Sequence, residues 1–165
     1  MLFRSNTGEA KAERADRGYF TTYNRTDTAE RVQDILTAIA YLKGRSDVVR
    51  VNLVGLEQFG PLTLLANGLA GNTVSRCAID AAKFASADDA GFMSQLFTPS
   101  LRRAGDLRAA MALSAPRPLF IHNTGEAFDQ QWAPAAYAAG GALRNARVDK
   151  NPAAEAELVT FLTRK

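Results

Sequence analysis

Few residues in this sequence have both the type and the setting that chemistry requires. His122 is the one histidine. It closes the apolar run Leu119-Phe-Ile121, and ligands of α/β proteins bind at strand C-termini, so His122 can border a cleft. The competing reading is a structural histidine bonded to neighbouring backbone. Lys150 lies in Val148-Asp-Lys-Asn-Pro152, and a lysine works as a base only where burial strongly lowers its pKa. Cys77, the single cysteine, sits inside an apolar run and reads as a buried, inert thiol. Glu57 stands at the centre of Gly55-Leu-Glu-Gln-Phe-Gly60. That stretch lacks the Lys-Ser/Thr pair of a P-loop and the middle glycine of a dinucleotide fingerprint. No His, Cys and carboxylate cluster has metal-ligand spacing. Neither a metal nor a cofactor is expected.

The elements that would position these residues alternate between strand and helix. Val48, Val49, Val51, Leu53 and Val54 suit a parallel strand covered on both faces. Gly55 permits a sharp turn, and Pro61 suits the first position of a helix running to about residue 70, with Gly71 as its C-cap. Upstream, Asp27 and Glu30 read as an N-cap and N3 pair for a helix carrying Val32, Ile35, Leu36, Ile39 and Leu42, ended by Gly44. Downstream, strands are expected near 75–80, 118–122 and 145–149. Short helical pieces fill 86–111, and Pro116-Arg-Pro118 stops any helix there. An alanine-rich helix over 130–140 carries Trp132 and Tyr137 at the core or its rim, and a last helix covers 152–162. The pattern predicts an α/β fold: three-layer α/β/α, with a parallel sheet of about four strands in chain order.

The chain has 165 residues, 47% of them apolar and 22% charged, which bounds it to one globular domain with a sizeable core. Residues 1–22 read as an arm or loop, with 1–5 as a possible scar, and 23–165 as the domain. The net charge of +3 comes from scattered Arg and Lys. No basic stripe interleaved with aromatics favours nucleic acid. No apolar run is long enough to span a bilayer, and no signal-peptide core is present.

Three segments resemble the α/β-hydrolase superfamily, in its acetyl-xylan-esterase and dienelactone-hydrolase-like branch. Arg31-Val-Gln-Asp-Ile-Leu-Thr-Ala-Ile-Ala-Tyr-Leu42 is similar to the helix before the nucleophile strand. Val54-Gly-Leu-Glu-Gln-Phe-Gly-Pro61 is similar to the nucleophile elbow. Gly105-Asp-Leu-Arg-Ala-Ala-Met-Ala-Leu-Ser-Ala-Pro-Arg-Pro-Leu-Phe-Ile121 is similar to the approach to the seventh strand. The resemblance implies the C-terminal half of that fold, without the first half of the sheet or the loop that donates one oxyanion N–H.

The resemblance also implies roles. Glu57 takes the nucleophile position and Gln58 the adjoining oxyanion position. Phe59 stands where the family has glycine. Glu126 takes the acid position, with Asp129 as alternate. The segment 148–152, where the family carries its histidine, has none; Lys150 is the nearest titratable group there. The reading that follows is a degenerate domain of esterase ancestry, without Ser-His-Asp catalysis, that serves as a structural or binding part of a larger protein. The alternative is an active carboxyl-ester hydrolase with Glu57, Glu126 or Asp129, and His122 or Lys150 in unusual roles.

In the whole fold the strand at 48–54 would be central. With one neighbour it presents an apolar edge, on which Arg50 and Asn52 are the only polar residues. Tyr19, Phe20 and Tyr23 are the sole upstream residues suited to cover part of it. The expected partners are therefore the missing N-terminal half or a second copy through this edge, with neither nucleic acid nor membrane.

Overall fold

A computed structural model describes residues 24–164 of the chain. The expected arm at 1–22, and the short strand around Tyr19, Phe20 and Tyr23, lie outside the described residues. The elements run α1 (Asp27–Lys43), β1 (Asn52–Gly55), α2 (Gly60–Ala70), β2 (Arg76–Asp80), α3 (Asp89–Leu96), α4 (Asp106–Ser114), β3 (Leu119–His122), α5 (Trp132–Ala139), β4 (Ala146–Val148) and α6 (Glu155–Thr163). The four strands form one parallel sheet in the order β1-β2-β3-β4. Its register pairs Leu53 with Cys77, Cys77 with Leu119, and Leu119 with Ala146.

Side chains alternate across this sheet, and the alternation divides the core. Cys77, Ile79, Leu119 and Ile121 point into the larger core with Leu62, Leu64, Phe92, Leu107, Met111 and Tyr137. Helices α1, α2, α4 and α5 cover that face, packed side by side. Ala78 and Phe120 point the other way, against Leu158, Phe161 and Leu162 of α6. The result is the expected three-layer α/β/α arrangement, with one layer far thinner than the other. Phe120 is fully buried there, and its ring meets Phe161 edge-on at 5.4 Å. Truncating such a side chain to alanine costs about 3–5 kcal/mol.

The first strand is shorter than its apolar run predicts. Val48 to Val51 precede the ladder, and Val49 is 95% exposed while Val51 packs against Ile39 and Val74. Val54 is 48% exposed. Its residues predict cover on both faces, but among the described residues α6 alone covers the second face; its apolar side chains pack over β2 and β3, and it reaches β1 only through a hydrogen bond. Asn52 and Arg50 are used here instead: Asn52 Nδ2 donates to the Leu162 carbonyl at 2.7 Å, and Arg50 Nη1 to that of Arg164 at 3.3 Å.

Several helix starts differ from the sequence reading, and α5 begins at Trp132 rather than Gln130. Thr26, not Asp27, caps α1; its Oγ1 accepts the Ala29 N–H at 3.3 Å. An extended Thr26 reaches back to that amide, whereas Asp27 already lies in the helix, as N-cap geometry requires. Helix α2 starts at Gly60, and α6 at Glu155 after an extended Ala154.

Candidate functional site

The C-terminal edge of the sheet gathers backbone in a rarely occupied conformation. Glu57 after β1 has φ 51°, Ala82 and Lys83 after β2 have φ 47° and 54°, and Asn123 after β3 has φ 56°. Each costs of order 1–2 kcal/mol for a residue with a Cβ, and such strain collects at binding and catalytic sites.

At the first of these turns the chain leaves β1, passes through a single 3₁₀ turn over Glu57–Phe59, and enters α2. Close approach fixes this path. A Cβ on Gly55 would lie 2.5 Å from Thr63 Oγ1, and one on Gly60 only 1.7 Å from the Asp80 carbonyl oxygen. Gly60, one position beyond Phe59, therefore makes the tight helix–strand contact. Phe59 instead turns outward and is 38% exposed. Glu57 and Gln58 are exposed at the crest of the turn.

The neighbouring strand ends in a carboxylate. Asp80 Oδ1 accepts the Ala82 N–H at 2.7 Å and the Asn123 Nδ2 at 2.8 Å, so it holds the strained turns after β2 and β3 together. The backbone repeats the link: Lys83 N–H donates to the Asn123 carbonyl at 2.8 Å. Sequence reasoning missed Asp80. The signal for it is a lone acid closing the apolar run Cys77-Ala-Ile, at a strand C-terminus.

His122 pairs in register with Asp80. It is 3% exposed, and its Nδ1 accepts the Ala153 N–H at 3.3 Å. With Nδ1 accepting, Nε2 carries the proton, and it is buried without a partner. Burial holds the imidazole pKa below the usual value, against the opposing pull of Asp80, Asp149 and Glu157. His122 is thus a neutral group under the second face.

The remaining residues singled out in the sequence are engaged elsewhere. Glu126 and Lys150 form an ion pair with each other, both largely exposed. Asp129 Oδ1 accepts the Gln131 and Trp132 N–H groups at 3.2 Å each, at the start of α5. Its Oδ2 meets Arg108 Nε at 3.1 Å. Cys77 is fully buried, and burial pushes its thiol up to about 12. Tyr137 is buried and donates its hydroxyl to the Arg117 carbonyl at 2.7 Å, while Trp132 lies on the rim, 42% exposed. Among the described residues, no group of His, Cys, Asp and Glu could hold a metal ion.

Chemically, the edge offers exposed carboxylate at Glu57, a hydrogen-bonded carboxylate at Asp80, and no hydrogen bond joining either to an imidazole. No family model, curated protein or solved structure matches this chain.

Proposed function

We propose that this chain is an α/β-hydrolase-like domain of esterase ancestry that has lost Ser-His-Asp catalysis and serves as a structural or binding domain of a larger protein. One observation carries the reading. Glu57 occupies a strand–turn–helix crest with φ 51°, the strained geometry an elbow uses to lift its nucleophile, yet carries a carboxylate. Among the described residues, no base is hydrogen-bonded to Glu57. Covalent catalysis needs a base beside the nucleophile or the attacking water. The segment 148–152 lacks a histidine, and its Lys150 is spent on Glu126. His122 is packed under α6, with its acceptor nitrogen occupied by the Ala153 amide.

As part of a larger assembly, the domain would pair its β1 edge with another strand. Among the described residues β1 has a neighbour on one side only. Val54 and Leu56, at 48% and 52% exposure, continue the apolar surface past it.

A panel of short and long acyl carboxyl esters, run beside a fluorophosphonate probe, tests the proposal. The expected result is no turnover above buffer and no labelled serine. Turnover lost in Glu57→Gln would establish instead the alternative, a hydrolase working through its carboxylates.

A further inference from the structure

We propose that a second site, at the opposite end of the sheet from Glu57, binds a small phosphate-bearing anion in a cleft of converging arginines. The cleft has a volume of about 420 Å³ and is lined by Arg76, Arg144, Arg147 and Arg164 with Pro118 and Phe161 as its apolar wall. These residues come from the N-terminal ends of the strands and the last turn of α6. Arg76 opens β2, Pro118 precedes β3, Arg144 precedes β4, and Arg164 follows α6.

Two of the four arginines have structural work. Arg76 Nε donates to the Arg164 carbonyl at 3.1 Å, at the negative end of the α6 dipole, and its guanidinium lies 5.7 Å from the centre of the Phe161 ring. Arg147 meets Glu157 at 2.5 Å, pairs also with Asp149, and covers the Phe120 ring at 4.2 Å. Arg144 and Arg164 have no such role. Neither guanidinium has a hydrogen bond or ion pair among the described residues. Among the described residues, no carboxylate lines the cleft.

Arg147 has two carboxylate partners, so the charge left without an ion pair among the described residues is that of Arg76, Arg144 and Arg164, and an anion would offset their mutual repulsion. Guanidinium groups present rigid donor forks that fit phosphate oxygens in pairs. The volume falls in the range of small-molecule sites. Phe161 and Pro118 add a wall suited to the organic part of a phosphate ester. A polyanion such as nucleic acid is disfavoured, because the charge is confined to a concavity rather than spread along a stripe.

Titration of the full chain with inorganic pyrophosphate at physiological ionic strength, followed by calorimetry and by amide shifts, tests this. Arg144 and Arg164 line the cleft but are exposed and have no side-chain hydrogen bond among the described residues, so Arg144→Ala and Arg164→Ala are expected to leave the core packing in place. Arg103→Ala, far along the chain in the loop before α4, is the control for net charge. The expected result is saturable binding with shifts at residues 76, 144–147 and 161–164, weakened on the order of tenfold or more by the paired substitution and unchanged by the control. Phenyl phosphate should bind at least as well as inorganic phosphate. No saturable binding, or equal weakening by Arg103→Ala, would overturn the proposal. So would a short oligonucleotide, or vesicles of anionic lipid, binding through the same arginines far more tightly than pyrophosphate.

Discussion

Glu57 and His122 show how one residue's setting decides what its chemistry can be. A glutamate is costly at φ 51°, and a β-branched residue there is costlier still. Glu57→Val should therefore be less stable than Glu57→Gly by about 1–2 kcal/mol in denaturant unfolding. Equal stabilities would mean that the turn relaxes. For His122 the sign is set by burial, which lowers its folded pKa below the ordinary 6.5. The unfolded chain then binds the proton more readily, so stability rises with pH through this group. Its contribution is fully present above 6.5 and is lost as pH falls from there through the lowered folded value. His122→Gln retains an acceptor for the Ala153 amide and removes the titration. Its stability should change less than that of the parent chain between neutral and mildly acidic pH, measured by chemical denaturation across that window.

The elements were legible where one physical signal ruled. The runs at 75–80 and 118–122 are short with apolar centres, the run at 145–149 is short and weaker, and each forms a parallel strand with its neighbour in chain order. The run at 48–54 yields a shorter strand than its residues predict, because an apolar stretch does not say whether both faces are covered. Coverage depends on α6, more than a hundred residues away in sequence, and α6 packs over β2 and β3. Thr26 won the cap of α1 through a backbone angle that Asp27, inside the helix, lacks. At the elbow, the glycine that matters is Gly60, because its Cα faces the Asp80 carbonyl directly. Gly60→Ala would put a methyl group 1.7 Å from that oxygen, with backbone on both sides. It should cost more than about 2 kcal/mol, read as a fall in the denaturation midpoint with an unchanged slope. A variant as stable as the parent would show that α2 can shift away from β2. Asp80 and the arginine cleft were illegible for a different reason. Their members are scattered from residue 76 to residue 164, and only the sheet brings them together.

At the scale of the whole molecule, the imbalance of the two faces matters most. Among the described residues, five helices contribute to the core on one face and a single helix covers the other. The thin face leaves Val54 and Leu56 exposed beside β1, which among the described residues is an edge strand, the arrangement that recruits a further strand. The chain by itself is expected to associate through β1 or to be poorly soluble. Val54→Lys sets a charge on that edge and should shift sedimentation toward the monomer without lowering the unfolding midpoint. A parent chain that sediments as a monodisperse monomer would show that the edge is already protected.

The proposal that the strand–turn–helix at Glu57 carries no serine-hydrolase chemistry is tested most directly by Glu57→Ser. The substitution introduces a serine hydroxyl at a crest already held at positive φ. An unassisted hydroxyl is a poor nucleophile, and no base is bonded to this turn. Intact-protein and peptide mass spectrometry after fluorophosphonate treatment is therefore predicted to find no adduct at position 57, in the variant as in the parent chain. A stoichiometric adduct at position 57 would contradict the account, because it would require a working base within reach of the turn.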